Sequence, residues 1–194
     1  GVEHERFLFE GENKNRISYE TLKKLFENLK VNGWEPLHEK GNIIGMQRNK
    51  QQITTEPGLQ CELSGAPLEN IHQVCSESSK FLKEIEIASK GLDVNTVSIG
   101  FDPFNNLSDI PQSPKTRYKI MTKEMPKGGK QSLEMMYRTC GIQINYDYTS
   151  EENFEKIFRQ DVLYRLFGRW STRRSDGDFR CRSSGCHGLH PRQA

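Results

Sequence analysis

Apolar and polar positions along the chain follow two periods, one near two and one near 3.6. Residues 2–9 read as a strand with Glu3, Glu5, Phe7 and Phe9 on one face. After Ser18, a natural helix cap, Leu22, Leu25, Phe26 and Leu29 form an i, i+3, i+4, i+7 stripe, predicting a helix to about residue 31. Residues 43–48 and 52–56 predict a hairpin turning at Asn49-Lys50, with a further strand at 60–64. Pro67 suits the first position of a long helix that carries Leu68, Ile71, Cys75, Leu82 and Ile85 on one stripe and stops near Gly91. A strand at 94–101, a loop at 105–114, a helix through 118–121 and a loop at 124–131 follow. Residues 141–148 alternate strictly, Ile142, Ile144, Tyr146 and Tyr148 against Gln143, Asn145 and Asp147. Thr149 and Glu152 then make a capping box for a helix with Phe154, Ile157 and Phe158 on its apolar side. No internal repeat is visible. Mostly antiparallel strands with helices packed on one side predict the α+β class.

Composition limits this picture. A chain of 194 residues can bury roughly 70% of its unfolded surface and would normally form one domain. Only 34% of its residues are hydrophobic and the mean hydropathy is −0.78, so the core has little to spare. No run approaches the ~18 apolar residues of a membrane span. The chain opens on Gly1 inside a strand pattern, with no signal-peptide pattern, and is expected to be a fragment or a protein trimmed of its start.

Charge divides the chain. Residues 1–156 hold 20 Lys and Arg against 23 Asp and Glu, whereas residues 157–194 hold 8 Arg, no Lys and 3 Asp. The net +2 therefore belongs to the end of the chain. Residues 168–194, rich in Arg, Ser and Gly, are expected to be a tail distinct from a domain over 1–167, disordered or out of register with the gene. Clustered Arg attracts phosphate, but no nucleic-acid-binding motif accompanies it, and neither a nucleic acid nor a membrane is expected as partner. Cys181, Cys186, His187 and His190 lack the spacer between ligand pairs that a zinc site needs. Cys61, Cys75 and Cys140 are widely spaced, which suits a reducing compartment. His72 lies near the apolar stripe of the long helix, where a core histidine is expected.

The chemistry gathers around residues 53–75. Glu56 and Glu62 flank Pro57-Gly58, a pair that cannot lie inside a central strand, so the chain bends at one acid and returns with another. Glu3 and Glu5 share a strand face, and Gln143 and Asn145 share another. Three segments thus offer oxygen ligands of the kind that suit Mg²⁺ or Mn²⁺ beside phosphates, although solvated strand faces would show the same residues. No Walker loop occurs, since Gly128-Gly129-Lys130 lacks the first glycine and the strand-to-helix context.

GVEHERF, EPGLQCELSGAPLENIHQVC, IGFDP, DIPQSPKTRYKIM and EMMYRTCGIQINYDYTSEENFEKIFR, in this order over about residues 1–160, resemble glutamate–cysteine ligase (γ-glutamylcysteine synthetase) of the plant and proteobacterial type. The resemblance implies a glutamine-synthetase-like antiparallel sheet, part of a funnel. It implies ATP-dependent ligation of L-glutamate to L-cysteine through an acyl phosphate, the first step of glutathione synthesis, with Mg²⁺ or Mn²⁺ as cofactor. Glu3, Glu5, Glu56, Glu62 and Gln143 fall on metal-binding positions and Asn145 on the nucleotide-facing strand. Arg117 and Arg138 are candidates to hold the α-carboxylate of glutamate, and Met136 to line the cysteine pocket. The implied location is the cytoplasm, or a plastid in a plant. An amine other than cysteine within the same superfamily, or a non-catalytic fragment, remains open.

The chain also departs from the resemblance. The family's apolar helix and long second half do not follow residue 167, so the segment alone is expected to be inactive. Where the family usually reads EPGGQFELSG, Leu59 and Cys61 stand here. A left-handed turn at Leu59 would cost about 1 kcal/mol or more.

Overall fold

The computed structural model describes residues 1–163. The tail expected at 168–194 lies outside them. The described residues fall into two compact units, one spanning Gly1–Ile144 and the other beginning at Asn145.

The first unit is built on one open, eight-stranded antiparallel sheet of the expected α+β class. Its strands are β1 (Val2–Glu10), β2 (Asn15–Arg16), β3 (Glu35–Glu39), β4 (Asn42–Arg48), β5 (Gln51–Thr55), β6 (Cys61–Ser64), β7 (Val94–Val97) and β8 (Ile142–Ile144). The order is β2-β1-β6-β5-β4-β3, with β7 and β8 also paired to β1. The two halves of β1 serve different partners. Glu3 to Arg6 pair with β6 and Val2 to His4 with β8, whereas Phe7 to Glu10 pair with β7.

Two helices, α1 (Tyr19–Leu29) and α2 (Ile71–Ala88), supply most of the cover. Leu22, Leu25, Phe26 and Leu29 of α1 are fully buried, as their spacing predicts, and cluster with Leu8, Met46, Ile53 and Leu63 of the sheet. Ser18 caps α1, its hydroxyl accepting the Thr21 N–H at 3.2 Å. The start of α2 departs from expectation. The helix begins at Ile71, because the Asn70 carboxamide accepts the N–H groups of His72 and Gln73, both at 3.1 Å. Its first turns carry no buried residue: Ile71 is 71% exposed and His72 is on the surface, so the core histidine expected there is not found. Burial starts at Phe81.

Beyond Val97 the chain leaves the sheet, and Phe101 makes only an isolated bridge to Thr139, so β7 is shorter than the expected 94–101. Two short helices follow, α3 (Thr116–Glu124) and α4 (Ser132–Arg138). Ile110, Met136 and Tyr137 form a second, small apolar cluster beside them. Strand β8 ends at Ile144, short of the predicted 148.

In the second unit, α5 (Glu151–Leu163) is capped one residue later than expected. The Ser150 hydroxyl accepts the Asn153 N–H and the Asn153 carboxamide accepts the Thr149 N–H, each at 3.1 Å. Asn153 thereby takes the reciprocal role assigned to Glu152. The rings of Tyr148, Phe154 and Phe158 pack in sequence, 5.1 and 5.9 Å between centroids.

Candidate functional site

Strand register places the first two acids. Glu5 of β1 lies directly opposite Glu62 of β6, and Glu62 directly opposite Thr54 of β5. Directly opposed residues share a face and sit close, so two like charges here are unfavourable without a ligand. The Glu62 Oε1 accepts the hydroxyls of Ser64 at 2.7 Å and Thr54 at 3.2 Å. The Glu5 Oε2 accepts the Gly141 N–H at 2.6 Å.

Glu56 enters from the turn after β5. The Leu59 N–H donates to the Glu56 carbonyl at 2.9 Å, and the Glu56 N–H to the Gln60 carbonyl at 2.8 Å. Gly58 is required by packing, since a Cβ there would lie 2.8 Å from the Tyr137 carbonyl oxygen and 2.9 Å from an Ile110 methyl. Leu59 adopts φ +59°, the left-handed angle anticipated for that position, with its side chain wholly buried. Buried polar groups clamp the turn. The Gln60 side chain accepts the Gly58 N–H at 2.8 Å and donates to the Thr139 carbonyl at 3.0 Å. Arg16 donates to the carbonyls of Gly58 at 2.5 Å and Tyr137 at 3.2 Å, and pairs with Asp102 at 3.3 Å.

The result is a convergence of Glu5, Glu56 and Glu62, each offering one carboxylate oxygen within 4.8 Å of the others. Burial lifts the Glu56 carboxyl above the ordinary carboxylate range, and the negative charge of Glu62 adds to it. Its contacts with Tyr118, Lys115 and Arg117 pull the other way. Burial raises Glu5 too, reinforced by Glu56, Glu62 and Glu3 against the Gly141 hydrogen bond. The Tyr118 hydroxyl donates to the Glu56 Oε1 at 2.9 Å, and the Arg117 guanidinium stands 3.6 Å from that oxygen with its side chain 61% exposed. An all-oxygen set under mutual repulsion fits a small hard dication such as Mg²⁺ or Mn²⁺.

Comparison with known proteins identifies the family. The profile of glutamate-cysteine ligase family 2 matches residues 1–166. The chain belongs to this family. Glutamate–cysteine ligase A, chloroplastic, of Oryza sativa subsp. japonica is 42% identical over 160 residues, covering 82% of this chain and 32% of the rice protein. The chloroplastic ligases of Medicago truncatula (42%) and Arabidopsis thaliana (41%) match equally long segments, 82% of this chain and 32% and 31% of their own lengths. This family member thus spans about a third of the length of the curated relatives it matches. Among its described residues no helix is long and apolar enough to cross a membrane.

The other residues singled out in this ligase-family sequence lie as follows. Glu3 sits two positions from Glu5, opposite Ser64 on one side and Gln143 on the other, and outside the converging trio. Gln143 is exposed on β8, and Asn145 opens the second unit. Arg138 is engaged structurally: it pairs with Glu134 at 2.8 Å, donates to the Asp102 carbonyl at 2.8 Å and stacks on Phe101. Met136 is buried against Ile110 and Tyr137. Sequence reasoning passed over Tyr118, Lys115, Gln60 and the Arg16–Asp102 pair. The run Lys115-Thr116-Arg117-Tyr118, two cations and a phenol at a helix start, was the available signal.

Proposed function

We propose that this segment carries the metal and phosphoryl end of an ATP-dependent ligase joining L-glutamate to L-cysteine. The convergence of the Glu5, Glu56 and Glu62 oxygens is the observation that supports it most directly. These three carboxylates would hold Mg²⁺ or Mn²⁺. When bound, the cation neutralises phosphate oxygens and orients ATP.

In the reaction, the γ-carboxylate of glutamate attacks the terminal phosphorus of ATP, giving an acyl phosphate and ADP. The amine of cysteine then displaces phosphate and loses a proton, leaving the amide of γ-glutamylcysteine. Arg117, exposed beside Glu56, presents a planar fork to the α-carboxylate of glutamate. The Tyr118 hydroxyl fixes the Glu56 rotamer and the Arg16, Gln60 clamp fixes its backbone, so the ligand oxygens are organised beforehand. Glu3 and Gln143, opposite one another on β1 and β8, extend the polar strand face toward the nucleotide. Arg138 acts as a second holder only if its pair with Glu134 opens. Met136 borders the cysteine pocket from its buried position. The relatives' names support a plastid location.

A chimera tests the reading. Residues 1–160 replace the matched segment of the rice ligase, and γ-glutamylcysteine formation is assayed with cysteine and a panel of other amines. Activity with cysteine, lost in Glu62→Gln, is expected. A folded chimera with no ATP-dependent ligation would refute the proposal, and a preference for another amine would correct its substrate.

A further inference from the structure

Lys115 immediately precedes α3, and its residue surface is only 5% exposed. The stem is packed away, while the ammonium keeps some access to solvent and makes no ion pair or hydrogen bond among the described residues. Its contacts are the Tyr118 ring, 5.4 Å to the centroid, and the fields of Glu56, Glu62 and Glu39. An ammonium held at the end of a packed stem with no protein acceptor is left open to an outside partner. The start of a helix is where a positive charge is least welcome. Arg117 lies two residues further on and opposes it as well. The nearby carboxylates favour its charge without pairing with it, so the ammonium stays available to an anionic ligand.

Charge balance points the same way. Three ionised carboxylates and one dication leave a single negative charge, which Lys115 cancels, and Arg117 then makes the site net positive. A loaded site of this kind attracts an anion that spans the metal and the ammonium. The two cations differ in shape: the planar guanidinium of Arg117 suits a carboxylate, and the compact ammonium of Lys115 suits a phosphate oxygen as a point charge.

We infer that Lys115 is a substrate-binding residue whose ammonium, alongside a dication on Glu5, Glu56 and Glu62, grips an oxygen of the phosphoryl group being transferred. This rests on the ligase reading above and assigns a contact within that site. Lys115 also repels the dication while no anion is present, so the two affinities respond to its charge in opposite directions.

The test uses the purified chain with Mn²⁺, read by electron paramagnetic resonance, and then inorganic tripolyphosphate added to the Mn²⁺-loaded protein. Lys115→Met is expected to bind Mn²⁺ several-fold more tightly than wild type and tripolyphosphate roughly tenfold more weakly, the scale of one charge-assisted hydrogen bond. Lys115→Arg keeps the charge and should recover much of the tripolyphosphate affinity. Unchanged tripolyphosphate binding in Lys115→Met would overturn the inference and leave the metal site standing. Loss of both affinities together would mark Lys115 as structural and overturn it equally. A wild-type chain that binds no Mn²⁺ would sink the ligase reading and this inference with it.

Discussion

Leu59 holds a backbone angle that side chains rarely adopt, φ +59°, while its own side chain is fully buried in the main core. Two terms compete. The left-handed angle costs about 1 kcal/mol, and truncating a buried Leu costs about 2–5 kcal/mol. Burial wins, so Leu59→Gly should destabilise the protein by about 1–4 kcal/mol despite relieving the strain. Leu59→Ala loses the same packing and keeps the strain, so it should be less stable than Leu59→Gly by about 1 kcal/mol. Chemical denaturation of the three proteins checks that order, which is the reverse of the usual preference for Ala over Gly. Glu56 poses the opposite trade. Burial and the neighbouring Glu62 disfavour its charge, and the Gln amide still accepts from Tyr118. Glu56→Gln should therefore raise the Tm of the metal-free protein by about 2–4 °C, while weakening Mn²⁺ binding at least tenfold. A lower Tm in EDTA would show that the Arg117 contact outweighs the repulsion.

At the level of elements, the site depends on how the turn at residues 56–59 is tied to distant segments. Arg16 on β2 and Asp102 after β7 form a pair with no exposed side-chain surface, and the same guanidinium holds the Gly58 carbonyl. Removing one partner of such a pair leaves an uncompensated charge, so Asp102→Ala should cost about 3–5 kcal/mol. The double variant Arg16→Met, Asp102→Leu should lose clearly less than the two single losses combined, as measured by urea unfolding. Additive losses would mean that the pair acts only through the carbonyl contacts of Arg16. None of this clamp was legible in the sequence, because a two-residue strand carries no period and the partners are 86 residues apart. Strand β3 was missed for a related reason: Pro36 argues against a central strand, and β3 is tolerated only as the terminal strand of the sheet. Helix α4, seven residues long, is too short to display a stripe. Helix α1 and the β4–β5 hairpin were legible because a local cap, a full stripe and a turn at Asn49 all agree.

For the whole molecule, the family resemblance put Glu3, Glu5, Glu56, Glu62 and Gln143 in one metal-binding group, and spacing could not separate Glu3 from Glu5, since period two puts both on the same face. Strand register made the separation, by setting Glu5 and not Glu3 opposite Glu62. That grouping gives the folded protein a distinctive response to pH. Glu5 and Glu56 have folded-state pKa values above their ordinary ones. The native state therefore holds these protons more tightly than the unfolded chain does. Their contribution to stability is complete at low pH and is lost as pH rises from the ordinary carboxylate range through the raised values. Lys115 acts on the alkaline side. Burial depresses it from 10.5 to about 8, so its ionised form weighs against folding until pH climbs through that window. Without metal, these groups together support the fold least where the acids and the lysine are all charged. A dication reverses the acid limb, because it binds only ionised carboxylates and stabilises the native state by mass action. Thermal melts in EDTA should thus show wild type losing stability relative to Glu56→Gln as pH rises out of the ordinary carboxylate range. In millimolar MgCl₂ the difference should shrink or change sign. Parallel pH profiles for the two proteins in EDTA, with no response to Mg²⁺, would mean that the three carboxylates do not act as one site.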